Sequence, residues 1–200
     1  MFKALAFLSF FAFAGMAQAK GPLNTGASAP DFTLAGADGK AYKLSQFKGK
    51  TVVLEWFNKD CPYVRKFYDV KAMQKLQQDA TGKGVVWLTI VSSAEGKEGH
   101  LKTEEAMKVV QEKGIASTAF LLDAKGEVGR LYAAKTTPHM YIVDKAGKLV
   151  YQGAIDDRPS AQAKSLEGAQ NYVTAALASL EKGEQIKNPS TTPYGCSVKY

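Results

Sequence analysis

The chain has 200 residues, of which 46% are hydrophobic and 22% are charged, and its formal net charge is +7. This balance excludes a mainly disordered chain, and the length suits a single domain with a substantial core. Only three of the 26 basic residues are arginines (Arg65, Arg130 and Arg158), so the positive charge indicates a lysine-rich solvated surface, not a nucleic-acid interface.

The N-terminal segment has the pattern of a secretory signal. Residues 1–19 contain one lysine, then an apolar run, and end on Ala17-Gln18-Ala19, a small-x-small cleavage site. We therefore expect a periplasmic or secreted mature protein with no stable membrane insertion after cleavage. Such compartments are oxidising, which directs attention to the two cysteines, Cys61 and Cys196. Two cysteines are too few for a disulfide-stapled scaffold, so chemistry is the stronger expectation.

Strand and helix patterns alternate along the rest of the chain. A hairpin is expected around Asp38-Gly39, and a second one around residues 144–147. Buried strands are predicted at 51–57, 85–91 and 119–122. Helical spacing is found in residues 63–80, 104–113, 127–133 and 165–180.

This order predicts an α/β fold: a mixed central sheet flanked by helices on both faces, with an N-terminal β-hairpin. The domain should cover residues 20–180. Residues 181–200 lack periodicity and are predicted to form a C-terminal tail that carries Cys196. Residues 156–159 follow the last strand and are expected to form a solvated loop.

Cys61 follows a buried strand and precedes Pro62, at the start of a predicted helix. Free backbone N–H groups and the positive end of the helix dipole favour a thiolate at such a position. Pro62 suits the first helical turn, where no N–H is needed. Arg65 and Lys66 lie one turn further on and would add positive potential.

Several short patterns, taken together, resemble the redoxins, the thioredoxin-fold family that includes peroxiredoxins and exported thiol–disulfide reductases. The resemblance covers roughly residues 27–180. It rests on Ala29-Pro30-Asp31-Phe32-Thr33-Leu34, Gly49-Lys50, Glu55-Trp56-Phe57, Cys61-Pro62 and Thr137-Pro138. It implies a thioredoxin-like fold, with Thr137-Pro138 as a cis-proline loop that lies against the reactive sulfur and binds the incoming chain.

The resemblance also implies roles for single residues, and the chain departs from the usual pattern at one of them. Val64 stands where oxidoreductases of this fold carry a second cysteine, so Cys196 is the candidate partner, as in two-cysteine peroxiredoxins. Either Cys196 resolves an oxidised Cys61, or the two form a static disulfide that pins the tail. Glu55 matches the buried acid that shuttles protons in thioredoxins, although a solvent-facing carboxylate remains open.

The remaining site predictions concern partner binding. Asn58, Pro62, Arg65, Thr137 and Pro138 are expected to contact the partner, and Asn58 stands where peroxiredoxins have a threonine that orients the peroxide. His139 either tunes the thiolate or is an ordinary hairpin histidine. No metal site and no cofactor are predicted, since no pair of His or Cys residues has ligand spacing.

The predicted function is an exported thiol–disulfide oxidoreductase that exchanges disulfides with a protein or a small thiol. Two alternatives remain at this point. One is a thiol-dependent peroxidase that acts on a peroxide, and the other is a redox-inactive binding module with a structural disulfide.

Overall fold

The computed structural model describes residues 23–200. The predicted signal peptide, residues 1–19, lies outside the described residues. Within the described range, no helix has both the length and the apolar character needed to span a bilayer.

A seven-stranded mixed sheet forms the centre of the domain, in the order β2-β1-β5-β4-β3-β7-β8. Its strands are β1 (Thr33–Gly36), β2 (Ala41–Lys43), β3 (Val52–Trp56), β4 (Val86–Val91), β5 (Ala119–Leu122), β7 (His139–Val143) and β8 (Leu149–Gly153). Strands β3, β4 and β5 are parallel, while the two hairpins add antiparallel strands at both edges. The predicted α/β class and both predicted hairpins are confirmed.

Helices cover both faces of this sheet. They are α1 (Pro62–Tyr68), α2 (Ala72–Gly82), α3 (Thr103–Lys113), α4 (Glu127–Leu131) and α5 (Tyr172–Lys182). Buried residues of α1, α2, α3 and α5 pack on one face, and α4 packs on the other. In β3, Val53 faces the first of these cores while Val52 and Leu54 face the second, so alternation places Glu55 on the α1 side.

Two helix predictions need correction. The helix predicted over 63–80 is interrupted between α1 and α2, where Lys71 adopts a left-handed conformation with φ of 63°. The helix predicted from residue 165 begins only at Tyr172, because Gly168 has a φ of 68° and Asn171 caps the helix through a bond from Thr174 N–H (2.8 Å). A separate 3₁₀ turn occupies Ala163–Leu166.

The C-terminal tail is part of the fold and not a loose extension. We call residues 189–200 the C-terminal strap. The strap first runs beside β8, where Gln152 N–H donates to the Pro189 carbonyl (3.0 Å) and Thr191 N–H donates to the Gln152 carbonyl (3.1 Å). It ends beside α4, with the Tyr200 ring next to Gly129 and the Tyr200 hydroxyl donating to the carbonyl of Ala134 just after the helix (2.7 Å).

Between these two anchors the strap forms a second, two-stranded sheet. Its strands are β6 (Thr136–Thr137) and β9 (Cys196–Ser197), paired antiparallel with Thr136 opposite Ser197 and Thr137 opposite Cys196. Neither strand is predicted by the sequence patterns, because each has only two residues. This small sheet brings Cys196 next to the loop between α4 and β7.

Candidate active site

The candidate site is built around Cys61, which is fully buried at the N-cap of α1. Strand β3 ends at Trp56, the next residue Phe57 still pairs with β4, and a short turn then leads into the helix. The Cys61 carbonyl accepts the N–H groups of Val64 (3.0 Å) and Arg65 (2.9 Å), which fixes the residue at the start of the helix. Its side chain makes no capping hydrogen bond. The thiol is therefore free to form its hydrogen bond with another part of the chain.

The Cys61 thiol donates to the carbonyl oxygen of Thr137, with the sulfur 3.1 Å from that oxygen. The Thr137–Pro138 peptide is cis, as the family resemblance implies. Thr137 is also the register partner of Cys196, so one backbone unit contacts both cysteine residues. Thr137, Pro138, Cys61 and Cys196 thus come together in this part of the structure.

Both cysteines are free thiols, and their surroundings differ. Cys196 is partly buried in the strap, and burial raises the pKa of its thiol to about 12, with the neighbouring Cys61 side chain acting in the same direction. Cys196 is consequently protonated at neutral pH. It needs to lose that proton before it can attack another sulfur.

Glu55 is buried on the same face of the sheet as Cys61, which settles the alternative that it faces solvent. Its carboxylate accepts hydrogen bonds from four buried side chains: Tyr68 (2.7 Å), Gln77 (2.9 Å), Trp87 (2.7 Å) and Thr89 (3.2 Å). Burial raises the pKa of Glu55, while these four donors act against that rise. Within residues 23–200, no hydrogen bond joins Glu55 to either cysteine.

Three of the residues expected to contact the partner, Asn58, Pro62 and Arg65, differ in their surroundings. Asn58 is buried and its amide nitrogen faces Glu98 at 3.4 Å, so it holds the adjoining loop. Pro62 is exposed directly beside Cys61. Arg65 points to solvent and pairs with Asp69 (3.6 Å).

One expectation about charge near the site is wrong, and a second is wrong only in part. Lys66 does not add its charge beside the thiol: its ammonium group is buried and lies 3.6 Å from the carboxylate of Asp156. The loop over residues 156–159 is exposed at Asp157, Arg158 and Pro159, as expected, but Asp156 is buried. Burial lowers the pKa of Lys66, and the attraction of Asp156 opposes this shift. The helical turn of α1 directs Lys66 inward, where the loop after β8 meets it.

Tyr194 forms hydrogen bonds with both members of this buried pair, and the sequence patterns did not identify it. Its hydroxyl group donates to Asp156 in a short hydrogen bond and accepts from the Lys66 ammonium (3.0 Å). Its ring lies 5.9 Å from that of Tyr63 and 5.0 Å from the Lys66 nitrogen. The signal in the sequence is an aromatic residue two positions before a cysteine, which is weak without the fold.

His139 is an ordinary buried residue. Its Nδ1 accepts the N–H of Lys135 (3.2 Å) and lies 3.1 Å from the Tyr141 hydroxyl. Burial, together with the charge of Lys135, lowers the pKa of His139 to about 3, so the ring is neutral. Among the described residues, no cluster of three or more His, Cys, Asp or Glu side chains is arranged to hold a metal ion.

Comparison with known proteins agrees with this fold. Residues 24–169 match the family model described as Redoxin, so the chain belongs to the redoxin family. Its fold is thioredoxin-like. A thioredoxin domain of a thiol-disulfide oxidoreductase from Bacteroides vulgatus superposes with a TM-score of 0.53 at 25% identity, covering 73% of this chain and 97% of that one.

Two further relatives are a curated protein and a solved structure. The thiol-disulfide oxidoreductase ResA of Geobacillus thermodenitrificans is 26% identical over 66% of this chain and 83% of its own length. An uncharacterised conserved protein from Geobacillus kaustophilus matches with a TM-score of 0.76 and 29% identity, over 89% of this chain and 93% of that structure. The likeness to the second protein therefore extends beyond residues 24–169.

Proposed function

We propose that this protein is an exported thiol–disulfide oxidoreductase in which Cys61 is the attacking thiol and Cys196 the resolving thiol. The observation that carries the proposal is the shared contact at Thr137, whose carbonyl binds the Cys61 thiol and whose backbone pairs with Cys196. Membership of the redoxin family and the relatives named as thiol-disulfide oxidoreductases support the class of reaction. The proposed export rests on the pattern of residues 1–19.

The reaction proceeds by two thiol–disulfide exchanges. Cys61 loses its proton and its thiolate attacks one sulfur of a partner disulfide, which forms a mixed disulfide and releases the first partner thiolate. The Cys196 thiolate then attacks the Cys61 sulfur, which forms the Cys61–Cys196 disulfide and releases the second partner thiolate. Two electrons pass from the dithiol of this protein to the partner, and both released thiolates take up protons.

The other site residues support these steps. Thr137 and Pro138 line the sulfur and offer backbone groups to a bound chain, while Pro62 lies at the exposed rim. Asn58 positions the turn that carries Cys61, since its own carbonyl accepts the Cys61 N–H (3.2 Å). Arg65 would contact only a partner that reaches the outer face of α1. The proton-shuttle role of Glu55 stays a prediction.

The proposal is tested by counting the thiols released from 5,5′-dithiobis(2-nitrobenzoate). The reduced protein should release two equivalents in sequence, the first from attack by Cys61 and the second from attack by Cys196, and should end as the Cys61–Cys196 disulfide. Cys196→Ser should release one equivalent and stop at a mixed disulfide, and Cys61→Ser should release at most one equivalent and form no disulfide within the chain. Release of two independent equivalents without a Cys61–Cys196 linkage in peptide mapping would contradict the proposal.

Two alternatives are separated from it by simple measurements. Peroxide reduction has less support, because the Asn58 amide nitrogen faces Glu98 and the guanidinium of Arg65 pairs with Asp69. Stopped-flow mixing with hydrogen peroxide should give a rate no better than that of free cysteine. A binding module with a static disulfide should resist mild reductants, whereas the proposed redox pair should be reduced readily.

A further inference from the structure

The edge of β6 beside Cys61 is occupied by the protein's own C-terminal strap. Cys196 sits opposite Thr137, and both Tyr194 and Cys196 pack against the core cluster that contains Cys61. Cys61 is completely buried in this arrangement. A partner protein could not reach the Cys61 sulfur while the strap stays in place.

The fit of the strap to this edge depends on a residue without a side chain. Gly195 has a φ of 138°, which L side chains rarely adopt. A Cβ atom on Gly195 would overlap the carbonyl oxygen of Thr137, the group that also accepts the Cys61 hydrogen bond. The residue that precedes the cysteine on this edge must therefore be glycine.

The side chain of Tyr194, the residue before Gly195, occupies a defined pocket. The Tyr194 hydroxyl is bound by Asp156 and Lys66, whose side chains are 1% and 0% exposed, and its ring packs edge-on against Tyr63. Burying an ion pair in this way is costly unless its groups are bonded, and the tyrosine hydroxyl provides such bonds to both. The pocket is thus specific for an aromatic residue that carries a hydroxyl group.

We propose that the β6 edge is a peptide-binding site for an extended Tyr-Gly-Cys segment, and that the strap occupies it as a built-in competitor of the partner. This inference rests on the proposed function and specifies its partner as a protein whose disulfide cysteine follows an aromatic residue and a glycine. The strap leaves when the partner binds, and Cys61 attacks the partner cysteine that takes the place of Cys196. The strap then returns, and Cys196 resolves the mixed disulfide and displaces the partner.

The test is made in the Cys196→Ser background, which keeps the strap but removes the resolving thiol. Iodoacetamide should alkylate Cys61 slowly in this variant. Adding Gly195→Ala should accelerate alkylation by at least about tenfold, the factor that corresponds to destabilising the docked strand by ~1.4 kcal/mol. Gly183→Ala is the matched control, because Gly183 also has a positive φ (72°) but no atom near its missing Cβ. It should leave the rate unchanged.

A peptide then tests the site itself. The sequence of residues 191–199, with serine in place of Cys196, should slow alkylation of the Gly195→Ala, Cys196→Ser protein. The same peptide with alanine in place of Gly195 should give no protection. Circular dichroism is used to check that each variant is folded. Tyr194→Phe in the Cys196→Ser background should give an alkylation rate between those of the Cys196→Ser protein and the Gly195→Ala, Cys196→Ser protein.

Any of three outcomes would overturn the inference. They are equal alkylation rates with and without Gly195→Ala, equal protection by the two peptides, and no protection by either peptide. None of these outcomes depends on disulfide formation. Loss of the peptide site would therefore leave the two-step exchange of Cys61 and Cys196 standing, and its own thiol count would still decide that proposal.

Discussion

At the scale of single residues, the two cysteines have different chemical environments. Because burial raises the pKa of Cys196 to about 12, its thiolate fraction at neutral pH is small and grows about tenfold with each pH unit. We expect the second thiol release to accelerate with that slope between about pH 6 and pH 8, below the ordinary thiol pKa of about 8.5. Stopped-flow absorbance measures it, with Cys196→Ser as the control that lacks the phase. If the rate of the second phase did not change with pH, the assignment of that phase to Cys196 would be contradicted.

The burial of Glu55 leads to a second prediction, which concerns the pH dependence of the free energy of unfolding. Its pKa is raised in the folded state, so the native protein binds the proton more tightly than the unfolded chain does. The stabilisation from the protonated carboxyl is complete below the ordinary carboxyl range and is lost as the pH rises through the folded pKa.

Glu55→Gln should remove this dependence, which amounts to at most about 1.4 kcal/mol per pH unit. Urea denaturation at several pH values between about 4 and 8 provides the comparison. Replacing the exposed Glu167 by glutamine should leave the pH profile of the wild type intact. If Glu55→Gln and the wild type keep a constant difference in the free energy of unfolding, the carboxyl does not titrate in this window.

At the scale of elements, α4 packs against the ring of Tyr200, the last residue of the strap. Gly129 lies inside α4, and a Cβ atom there would come within 2.5 Å of the Tyr200 ring and 2.9 Å of the Ser92 hydroxyl. Glycine to alanine inside a helix ordinarily stabilises by about 0.4–1 kcal/mol. Here the crowding should reverse the sign, and we expect Gly129→Ala to destabilise by about 1–3 kcal/mol.

Gly82 in α2 offers the matched control. Nothing lies within 4 Å of its missing Cβ, and its φ is not positive. Gly82→Ala should therefore be neutral or slightly stabilising in the same denaturation experiment. Equal effects of the two substitutions would show that Tyr200 is not held against α4.

The elements that the sequence predicts well are those with a sustained pattern. The five residues of β3 are all buried and lie within the strand predicted at 51–57. Helix α3 ends at Lys113, as the helical spacing of 104–113 predicts, and Gly114 follows with a φ of 63°. The break at Lys71 has no such signal, since lysine rarely adopts a left-handed conformation. Strands β6 and β9 are too short for any period to show.

At the scale of the whole molecule, the strap is what local patterns could not reveal. Its order comes from separate contacts. Thr191 accepts the N–H of Ala154 just after β8, Tyr194 binds the Lys66–Asp156 pair, and Tyr200 donates to the Ala134 carbonyl just after α4. None of these contacts repeats along the chain. The cysteines could be predicted as partners from the resemblance. The buried contact of Tyr194 with the Lys66–Asp156 ion pair could not, because it joins residues far apart in the sequence.

Linking the strap to Cys61 should also change global stability. A Cys61–Cys196 disulfide would close a loop of roughly 135 residues, which stabilises a folded chain by up to about 5 kcal/mol in the chain-entropy treatment. Guanidinium denaturation should therefore show a higher midpoint for the oxidised protein than for the reduced protein. A variant with serine at both positions should show one midpoint under both conditions, and a shift in that variant would assign the effect to the reagent.

The central claim, a reversible redox pair formed by Cys61 and Cys196, is tested most directly by a redox titration with peptide mapping. The protein is equilibrated with mixtures of reduced and oxidised dithiothreitol, trapped by alkylation, digested and analysed by mass spectrometry. One Cys61–Cys196 peptide should form, and its amount should rise and fall reversibly with the mixture. A linkage that never forms, or one that persists under fully reducing conditions, would contradict it.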